Sequence, residues 1–579
     1  MSSKKKFSAK RFFKRLGKVL LVILGILLVL CIIFHKYISD GIHLLKMYDV
    51  TVDPDTLVYT EMHLTNEQML TDFQYMYDTF YTNSFVKDQA DRYLGLDYAA
   101  IYDDYRERVS NCKDDYEFFC LMMSLCAKLP GSHDYLHVPT TDVPSVGMFP
   151  LSYECNTQEV IDANFSFNKQ FEDRMFSYDQ KYMLFAYLGG DYVAFAEGFE
   201  EEDMIPGIAN GRLLTLDGKS VEDALQEIDS INKISYDARL EKPFCFELIF
   251  NDGYGRKYVA EIEMPDGEII TMDLYNSCEQ IAACYYRDRL YPEHGKDPEA
   301  AEETEEAAES AESGDAEPAV KRCFSVEKVP DRKLVVITIT GCEDKDNEAF
   351  IEEVTNALNE VDPVAVIIDN RSNGGGSVVF VTEGVCPAFF DYDYEFISNS
   401  RAPINDMTDL LYSNRVYATF FEKGLEKEAD CYSYCEDLSF KGKASRSYDI
   451  YVINGQSTCS SGDILAGVMG AQPNVTLVGS NTHGEGFTGH PMDYYLPESK
   501  FLFTVDFSVS DIFPDNNCLG TVPDVFVAND WHDWLNRLEY AEECGEGADL
   551  KSFESRMHWD KVMIETVNLI EGAELSQAA

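Results

Sequence analysis

The segment YDIYVINGQSTCSSGDILAGVMG, residues 448 to 470, contains a strand, a turn and a helix in direct succession. Residues 448 to 453 are mostly aromatic and β-branched, which predicts a buried strand. Asn454-Gly455 is a turn pair. A helix is predicted after the turn, since one helical face collects the apolar side chains of Ile464, Leu465, Val468 and Met469.

Ser460 lies in this strand-to-helix turn, within Ser457 to Asp463. A small hydroxyl there can act as a nucleophile, because the first free N–H groups of the helix can stabilise a developing oxyanion. The alternative is an ordinary N-cap, in which the hydroxyl only accepts a hydrogen bond from those N–H groups. On this turn alone, the N-cap is the favoured role for Ser460. The choice between N-cap and nucleophile therefore depends on other segments of the chain.

A second strand, Val364 to Ile368, ends in the glycine-rich loop Asp369 to Gly376. It follows a predicted strand, Leu334 to Ile339, and a predicted helix, Asn347 to Asn359. Strand, helix, strand and a glycine-rich exit indicate a parallel sheet with a ligand site at the carboxyl end of the strand. A phosphate loop is excluded because it requires Gly-Lys-Ser/Thr. The glycines instead allow backbone N–H groups to approach a substrate carbonyl.

Ser132-His133 follows the break Pro130-Gly131 at the end of a predicted helix. A histidine between a helix and an extended segment is placed like a site residue, although a structural histidine is the commoner case. A metal held by His133 and His137 is not predicted, because Pro130 and Gly131 disrupt a helix there. No cofactor and no metal are predicted.

The composition restricts the class of protein. The 579 residues carry a formal net charge of -54, which excludes nucleic acid as a partner because phosphate binding needs a basic surface. There are 16 cysteines without CxxC or zinc spacing, and most are expected to be free buried thiols.

The N-terminus predicts a membrane anchor. Residues 1–18 contain eight Lys or Arg and no acid, and residues 19–34 are free of charge. Because no small-x-small cleavage site follows, an uncleaved transmembrane anchor at 19–36 is favoured over a signal peptide. The positive-inside rule then places residues 1–18 in the cytoplasm and the rest outside. The lipid bilayer is therefore an expected partner, and the cell membrane is the expected location.

The remaining chain divides by pattern. Residues 45–180 are predicted to be helical and to carry Ser132-His133, and 181–285 to be β-rich, with a hairpin of Lys257 to Met264 and Glu268 to Leu274. The β-rich part is either a PDZ-like subdomain, a module that binds extended peptides, or a plain β subdomain. Residues 290–322 form an acidic, disordered linker, 323–530 an α/β catalytic domain and 531–579 a helical tail.

Three ordered motifs resemble the family of C-terminal processing (tail-specific) proteases and tricorn-core serine peptidases. Asp369 to Gly376 is similar to its D-x-R-x-N-G-G motif, Ser457 to Asp463 to its nucleophile turn, and Gly520 to Asp524 to its closing G-x-x-P-D. The resemblance implies an α/β fold with a crotonase-like ββα core. It also implies a serine-type peptidase with protein or peptide substrates.

The resemblance makes Ser460 the nucleophile, with an oxyanion hole from the N–H groups of Ser461 and of Gly374 or Gly375. The processing branch carries its catalytic lysine in a T-x-G-K-G turn, and Glu485 occupies that position here. A Ser/Lys dyad is therefore ruled out at this turn.

The tricorn-like branch instead uses a Ser-His pair, which Ser132-His133 matches. The third catalytic residue of that branch is an acid just before the closing motif. The nearest position in this chain is Asn517, so Asp515, Asn517 and Glu485, which lies in the turn from Thr482 to Gly486, are the candidates to orient the histidine. His483 is the alternative base, and both Ser132 and His483 are expected to face the substrate.

Two functions remain open from the sequence. The first is a membrane-anchored, extracytoplasmic serine endopeptidase that uses Ser460 and a histidine on exported proteins or peptides. The alternative is a degenerate relative that binds peptides or lipid-like ligands without cleaving them.

Overall fold

The computed structural model describes residues 54–131, 133–137, 153–176, 180–196, 203–284, 322–414, 423–488, 491–506, 508–545 and 547–578, with residues 35–42, 45 and 52. The basic tail, nearly all of the predicted anchor, the acidic linker up to residue 321 and Ser132 lie outside these residues. Of the helices within the described ranges, none is both long and apolar enough to cross a bilayer.

Helices dominate the described residues between 54 and 176. They are α1 (Asn66–Tyr77), α2 (Lys87–Tyr93), α3 (Tyr98–Ser110), α4 (Asp115–Lys128) and α5 (Gln158–Phe176). Thr65 caps α1 in a capping box with Gln68. Helix α4 is buried along nearly its whole length, so it runs through the interior and ends at Leu129. Two residues of strand, β1 (Tyr135–Leu136), follow it.

A closed six-stranded barrel comes next in the chain, with the order β2-β3-β4-β8-β9-β7. Its region contains β2 (Tyr182–Leu188), β3 (Asp191–Phe195), β4 (Arg212–Leu216), α6 (Val221–Ala224), β5 (Ile234–Asp237), β6 (Lys242–Cys245), β7 (Glu247–Asn251), β8 (Arg256–Glu263), β9 (Ile269–Asn276) and α7 (Cys278–Cys284). The antiparallel pair β8 and β9 confirms the predicted hairpin. Strands β5 and β6 form a separate hairpin outside the barrel.

The second half is built on a six-stranded sheet with the order β10-β11-β12-β16-β17-β21. These strands are β10 (Phe324–Val329), β11 (Leu334–Ile339), β12 (Ala365–Asp369), β16 (Asp449–Asn454), β17 (Val475–Gly479) and β21 (Val525–Phe526). All neighbours are parallel except β10 and β11. Parallel pairing of β12 with β16 brings their carboxyl ends together, so the glycine-rich loop meets the Ser460 turn.

Helices cover both faces of this sheet. The helices of this half are α8 (Asn347–Val361), α9 (Cys386–Phe389), α10 (Asp406–Tyr412), α11 (Ser461–Gly470), α12 (Asn516–Leu519), α13 (Trp531–Cys544), α14 (Phe553–Trp559) and α15 (Lys561–Ala578). Ile337 packs on the face with α8 and α11, whereas its neighbour Val336 packs on the face with α15. Strands buried on both faces explain the continuous apolar runs in the sequence. The predicted mixed α/β fold is confirmed.

Two smaller sheets complete the second half. One has the order β14-β15-β13-β20, and the other β1-β19-β18. The strands are β13 (Ile397–Pro403), β14 (Lys423–Lys427), β15 (Cys431–Asp437), β18 (Met492–Tyr495), β19 (Leu502–Val505) and β20 (Val509–Ser510). Antiparallel pairing of β1 with β19 joins the N-terminal region to the catalytic half. This pairing carries the segment around His133 towards the main sheet.

Ion pairs connect helix α14 and the residue after it to the end of strand β12. Arg371 donates to Asp369 and to Asp560, and Asp560 also accepts from Arg556 on α14. Burial opposes ionisation of Asp560, but the two guanidinium groups outweigh it and lower its pKa. The cysteines whose side chains the structure describes are all free thiols, and most are buried, as expected.

Candidate active site

Ser460 occupies the turn between β16 and α11 in a strained backbone conformation, with φ 54° and ψ -126°. A positive φ is unfavourable for a residue other than glycine, by roughly 1–3 kcal/mol, and is typical of functional turns. Ser460 stands at the N-cap position, yet its hydroxyl makes no capping hydrogen bond. The side chain is half-buried. The capping role that the sequence alone favoured is therefore wrong.

The glycine-rich loop lies directly against Ser460. A Cβ added to Gly375, whose φ is +106°, would lie 2.7 Å from the Ser460 Cβ and 3.1 Å from the Ser461 nitrogen. The N–H of Gly375 donates to Asn373 Oδ1 at 3.0 Å. The N–H groups of Gly374 and Ser461 donate no hydrogen bond to the described residues. Both are therefore candidates for binding an oxyanion at this turn.

The turn from Thr482 to Gly486 packs against the other side of the nucleophile. The Ser460 N–H donates to the carbonyl oxygen of Gly484 at 3.0 Å, and Cys459 and Gly484 pair as a parallel bridge. Glu485, the residue in the position of the family's lysine, has a positive φ of 61° and a fully buried side chain. Its carboxylate therefore points into the protein beside Ser460.

His133 meets this carboxylate. Its Nδ1 lies 2.6 Å from Glu485 Oε2, and its backbone N–H donates to the same oxygen. The angle at Nδ1 departs from that of a hydrogen bond, since Nδ1 remains a buried nitrogen without a hydrogen-bond partner. Charge attraction accordingly holds the pair. Burial lowers the pKa of His133, but the Glu485 carboxylate outweighs burial and raises that pKa to about 9.

The other candidate residues lie apart from His133. Asp515 accepts from Arg92 at 2.7 Å and from Tyr93, and the only described partner of the Asn517 side chain is Gln89. Neither Asp515 nor Asn517 contacts His133 within the described residues. Both face helix α2 instead, because α12 packs against it.

His483 is held by the β-rich region and not by Ser460. Its Nδ1 lies 3.0 Å from the Ser235 hydroxyl, and its ring centroid lies 5.0 Å from that of Phe246. Burial lowers the pKa of His483 to about 4, so the ring is neutral. Ser132, the other residue expected to face substrate, lies outside the described residues.

Asp506 is the acid that sequence reasoning missed. It follows β19 directly, and one of its oxygens lies within 4.8 Å of ligand atoms of His133 and Glu485. Burial, followed by the Glu485 charge, raises the pKa of Asp506 to about 6. An acid directly after an apolar strand is the same signal that drew attention to Asp369, and it could have identified Asp506.

The two loop glycines differ in a way that can be measured. Gly375→Ala should destabilise the protein by about 2 kcal/mol or more, because of its positive φ and the clash with Ser460. For a chain of 579 residues this corresponds to a melting temperature lower by about 2 °C or more in thermal unfolding. Gly374→Ala is the matched control, since nothing lies within 4 Å of its added Cβ. Equal melting temperatures for the two variants would contradict this packing.

Comparisons with known proteins agree with these observations. Residues 333–510 match Peptidase family S41. No curated protein matches the chain.

Similar solved structures include mature CPAF complexed with lactacystin, with 14% identity, TM-score 0.44 and coverage of 83% of this chain and 97% of that chain. They also include the photosystem II D1 C-terminal processing protease, with 12% identity, TM-score 0.33 and coverage of 80% and 94%. The tricorn protease has 14% identity, TM-score 0.27 and coverage of 87% and 37%. Residues 333–510 therefore form a Peptidase family S41 domain, and the protein is a serine peptidase.

Proposed function

We propose that this serine peptidase is a membrane-anchored, extracytoplasmic endopeptidase that cleaves exported proteins or peptides with Ser460, His133 and Glu485. The observation that carries the proposal is the position of Glu485. Its carboxylate lies 2.6 Å from His133 Nδ1, while the preceding carbonyl, that of Gly484, accepts from the Ser460 N–H. One turn thus links the nucleophile to the base and supplies the acid.

The mechanism follows from these placements. Nδ1 of His133 faces Glu485, which leaves Nε2 to take the proton from Ser460 as its oxygen attacks the peptide carbonyl. The N–H groups of Ser461 and Gly374 stabilise the oxyanion, and His133 returns the proton to the departing amine. A water molecule, activated by the same imidazole, then hydrolyses the acyl-enzyme.

Proton transfer requires movement at Ser460. Its hydroxyl makes no capping hydrogen bond, whereas a general base must lie within about 2.6–3.2 Å of the hydroxyl. The proposal therefore requires that the Ser460 hydroxyl and Nε2 of His133 approach each other when substrate binds. The proposed mechanism does not use a lysine as the base. The carboxylate of Glu485 stabilises the protonated form of His133, and it would also keep a nearby lysine amine protonated and unable to accept a proton.

Covalent labelling tests the nucleophile and the base. The ectodomain should react with a fluorophosphonate probe at Ser460, and Ser460→Ala should remove the label. His133→Ala should slow labelling by about 10³-fold or more, because the base is lost. His483→Ala is the matched control and should keep the label, since its Nδ1 is bonded to Ser235. Absence of labelling in the parent protein would favour the relative that binds ligands without cleaving them.

The pH dependence tests Glu485. A base with a pKa of about 9 is neutral only at higher pH, so the labelling rate should rise with pH and level off above about pH 9. In Glu485→Gln the carboxylate no longer holds the proton on His133, and the midpoint should fall by more than one pH unit. Glu485→Asp should lie between the two. An unchanged midpoint in Glu485→Gln would rule out Glu485 as the partner of His133.

The anchor rests on the sequence of residues 1–36, with a basic stretch followed by an uncharged apolar one. Full-length protein should stay with membranes after an alkaline wash, and a variant without residues 1–36 should become soluble. Protease added outside intact cells should degrade the catalytic part, because the basic tail remains in the cytoplasm. Full-length protein that the wash extracts would exclude the anchor.

A further inference from the structure

Three potential metal ligands converge behind the proposed base. One ligand atom each from His133, Glu485 and Asp506 lies within 4.8 Å of the other two. The three residues come from separate parts of the chain: the segment before β1, the Thr482–Gly486 turn and the end of β19. Only the tertiary fold brings them together.

Buried carboxyl groups are concentrated around this cluster. Glu485, Asp506 and the adjacent Asp134 are all buried, and His133 Nδ1 lies 2.6 Å from Glu485. Lys233, the next nearby cation, donates its hydrogen bonds to the carbonyl oxygens of Cys126 and Leu129. Buried carboxylates of like charge are unfavourable unless a proton or another cation neutralises them.

Two buried polar atoms in this region have no hydrogen-bond partner. They are Nδ1 of His133, which forms the ion pair with Glu485 at 2.6 Å, and Oδ2 of Asp134, whose other oxygen accepts from the Asp506 N–H at 2.8 Å. Unpaired buried groups of this kind are uncommon and indicate a missing proton, water or ion. A bound cation would satisfy Nδ1 and compensate the charge at once.

We propose that His133 Nδ1, Glu485 and Asp506 form an inhibitory Zn²⁺ site within the catalytic centre. The inference rests on the proposed function, because it concerns the same histidine. An imidazole nitrogen with two carboxylates suits Zn²⁺, whereas Mg²⁺ and Ca²⁺ prefer oxygen ligands alone. Bonds of about 2.0–2.2 Å place tetrahedral ligands about 3.3 Å apart, so His133 Nδ1 and Glu485 Oε2, which are 2.6 Å apart, must separate by about 0.7 Å, and the other ligand pairs close by about 1.5 Å at most. Three protein ligands leave the fourth position for water.

Zinc on Nδ1 abolishes the base by fixing the tautomer. The metal occupies the Nδ1 lone pair, so the ring proton must reside on Nε2. Nε2 then donates a hydrogen bond and cannot accept the proton of Ser460. Binding also neutralises Glu485, which otherwise stabilises the imidazolium.

Hydrogen bonds from neighbouring residues orient the carboxylate of Asp506 for metal binding. Its Oδ1 accepts from the N–H and the hydroxyl of Ser508 at 3.0 and 2.9 Å, and Oδ2 accepts from the Thr488 hydroxyl. Such outer hydrogen bonds orient a ligand carboxylate, and losing a ligand or its support typically lowers metal affinity by about 10–100-fold. Asp506 makes no contact with Ser460 among the described hydrogen bonds, so it can be altered without removing the proposed triad.

The test combines calorimetry with labelling. Zn²⁺ titrated into the Ser460→Ala ectodomain should bind, since all three ligands remain, and Mg²⁺ should not. In the active protein Zn²⁺ should slow fluorophosphonate labelling, and EDTA should restore it. Asp506→Asn should bind Zn²⁺ at least about 10-fold more weakly, and Zn²⁺ should slow its labelling much less than that of the parent when each protein is compared with its own metal-free rate.

Asp493→Asn is the matched control. Asp493 is a buried acid that lies 3.1 Å from Nε2 of His137 but has no third ligand, so its loss should leave zinc inhibition unchanged. The exposed cluster of Glu428, Asp430 and Cys431 can also bind zinc, but that binding does not depend on Asp506. Equal zinc affinity and inhibition in the parent and in Asp506→Asn would overturn the proposal. If the metal-free parent protein is not labelled, the proposed function is overturned instead. Calorimetry on the Ser460→Ala protein would still show whether the zinc site exists.

Discussion

The buried carboxylate of Asp463 connects the parts of the active site. It lies on the first turn of the nucleophile helix and accepts from the Thr482 hydroxyl at 2.5 Å, the Gly486 N–H at 3.0 Å and Asn516 Nδ2 at 2.8 Å. Through these bonds the helix that begins after Ser460 holds both ends of the turn that carries Glu485. Burial raises the pKa of Asp463, and the hydrogen bonds oppose this by stabilising the carboxylate.

Because that turn is fixed, the identity of residue 485 determines which base can serve. Position 485 carries no lysine that could act as this base. The carboxylate of Glu485 instead attracts the imidazole of His133, which arrives from the N-terminal region through the pairing of β1 with β19. The same backbone can therefore support two kinds of base, and a single side chain distinguishes them.

Local patterns predicted the regular elements well. Leu334–Ile339 has the predicted bounds, and the helix from Asn347 ends two residues later than expected. Continuous apolar runs and one-sided helical periodicity are strong local signals, because each reflects burial of the element itself. Ser460 and the glycine-rich loop could be found for a related reason, since both follow parallel strands whose carboxyl ends must meet.

The sequence by itself determined the α/β core, the Ser460 turn beside its glycine loop and the absence of a lysine at position 485. These features depend on neighbours within about 30 residues or on the rule that parallel strands align. Only the tertiary structure placed Glu485 against His133, Asp515 against Arg92 and His483 against Ser235, and brought Asp506 close to His133. Those outcomes depend on contacts between residues hundreds of positions apart, and spacing along the chain contains no information about which buried charges will meet.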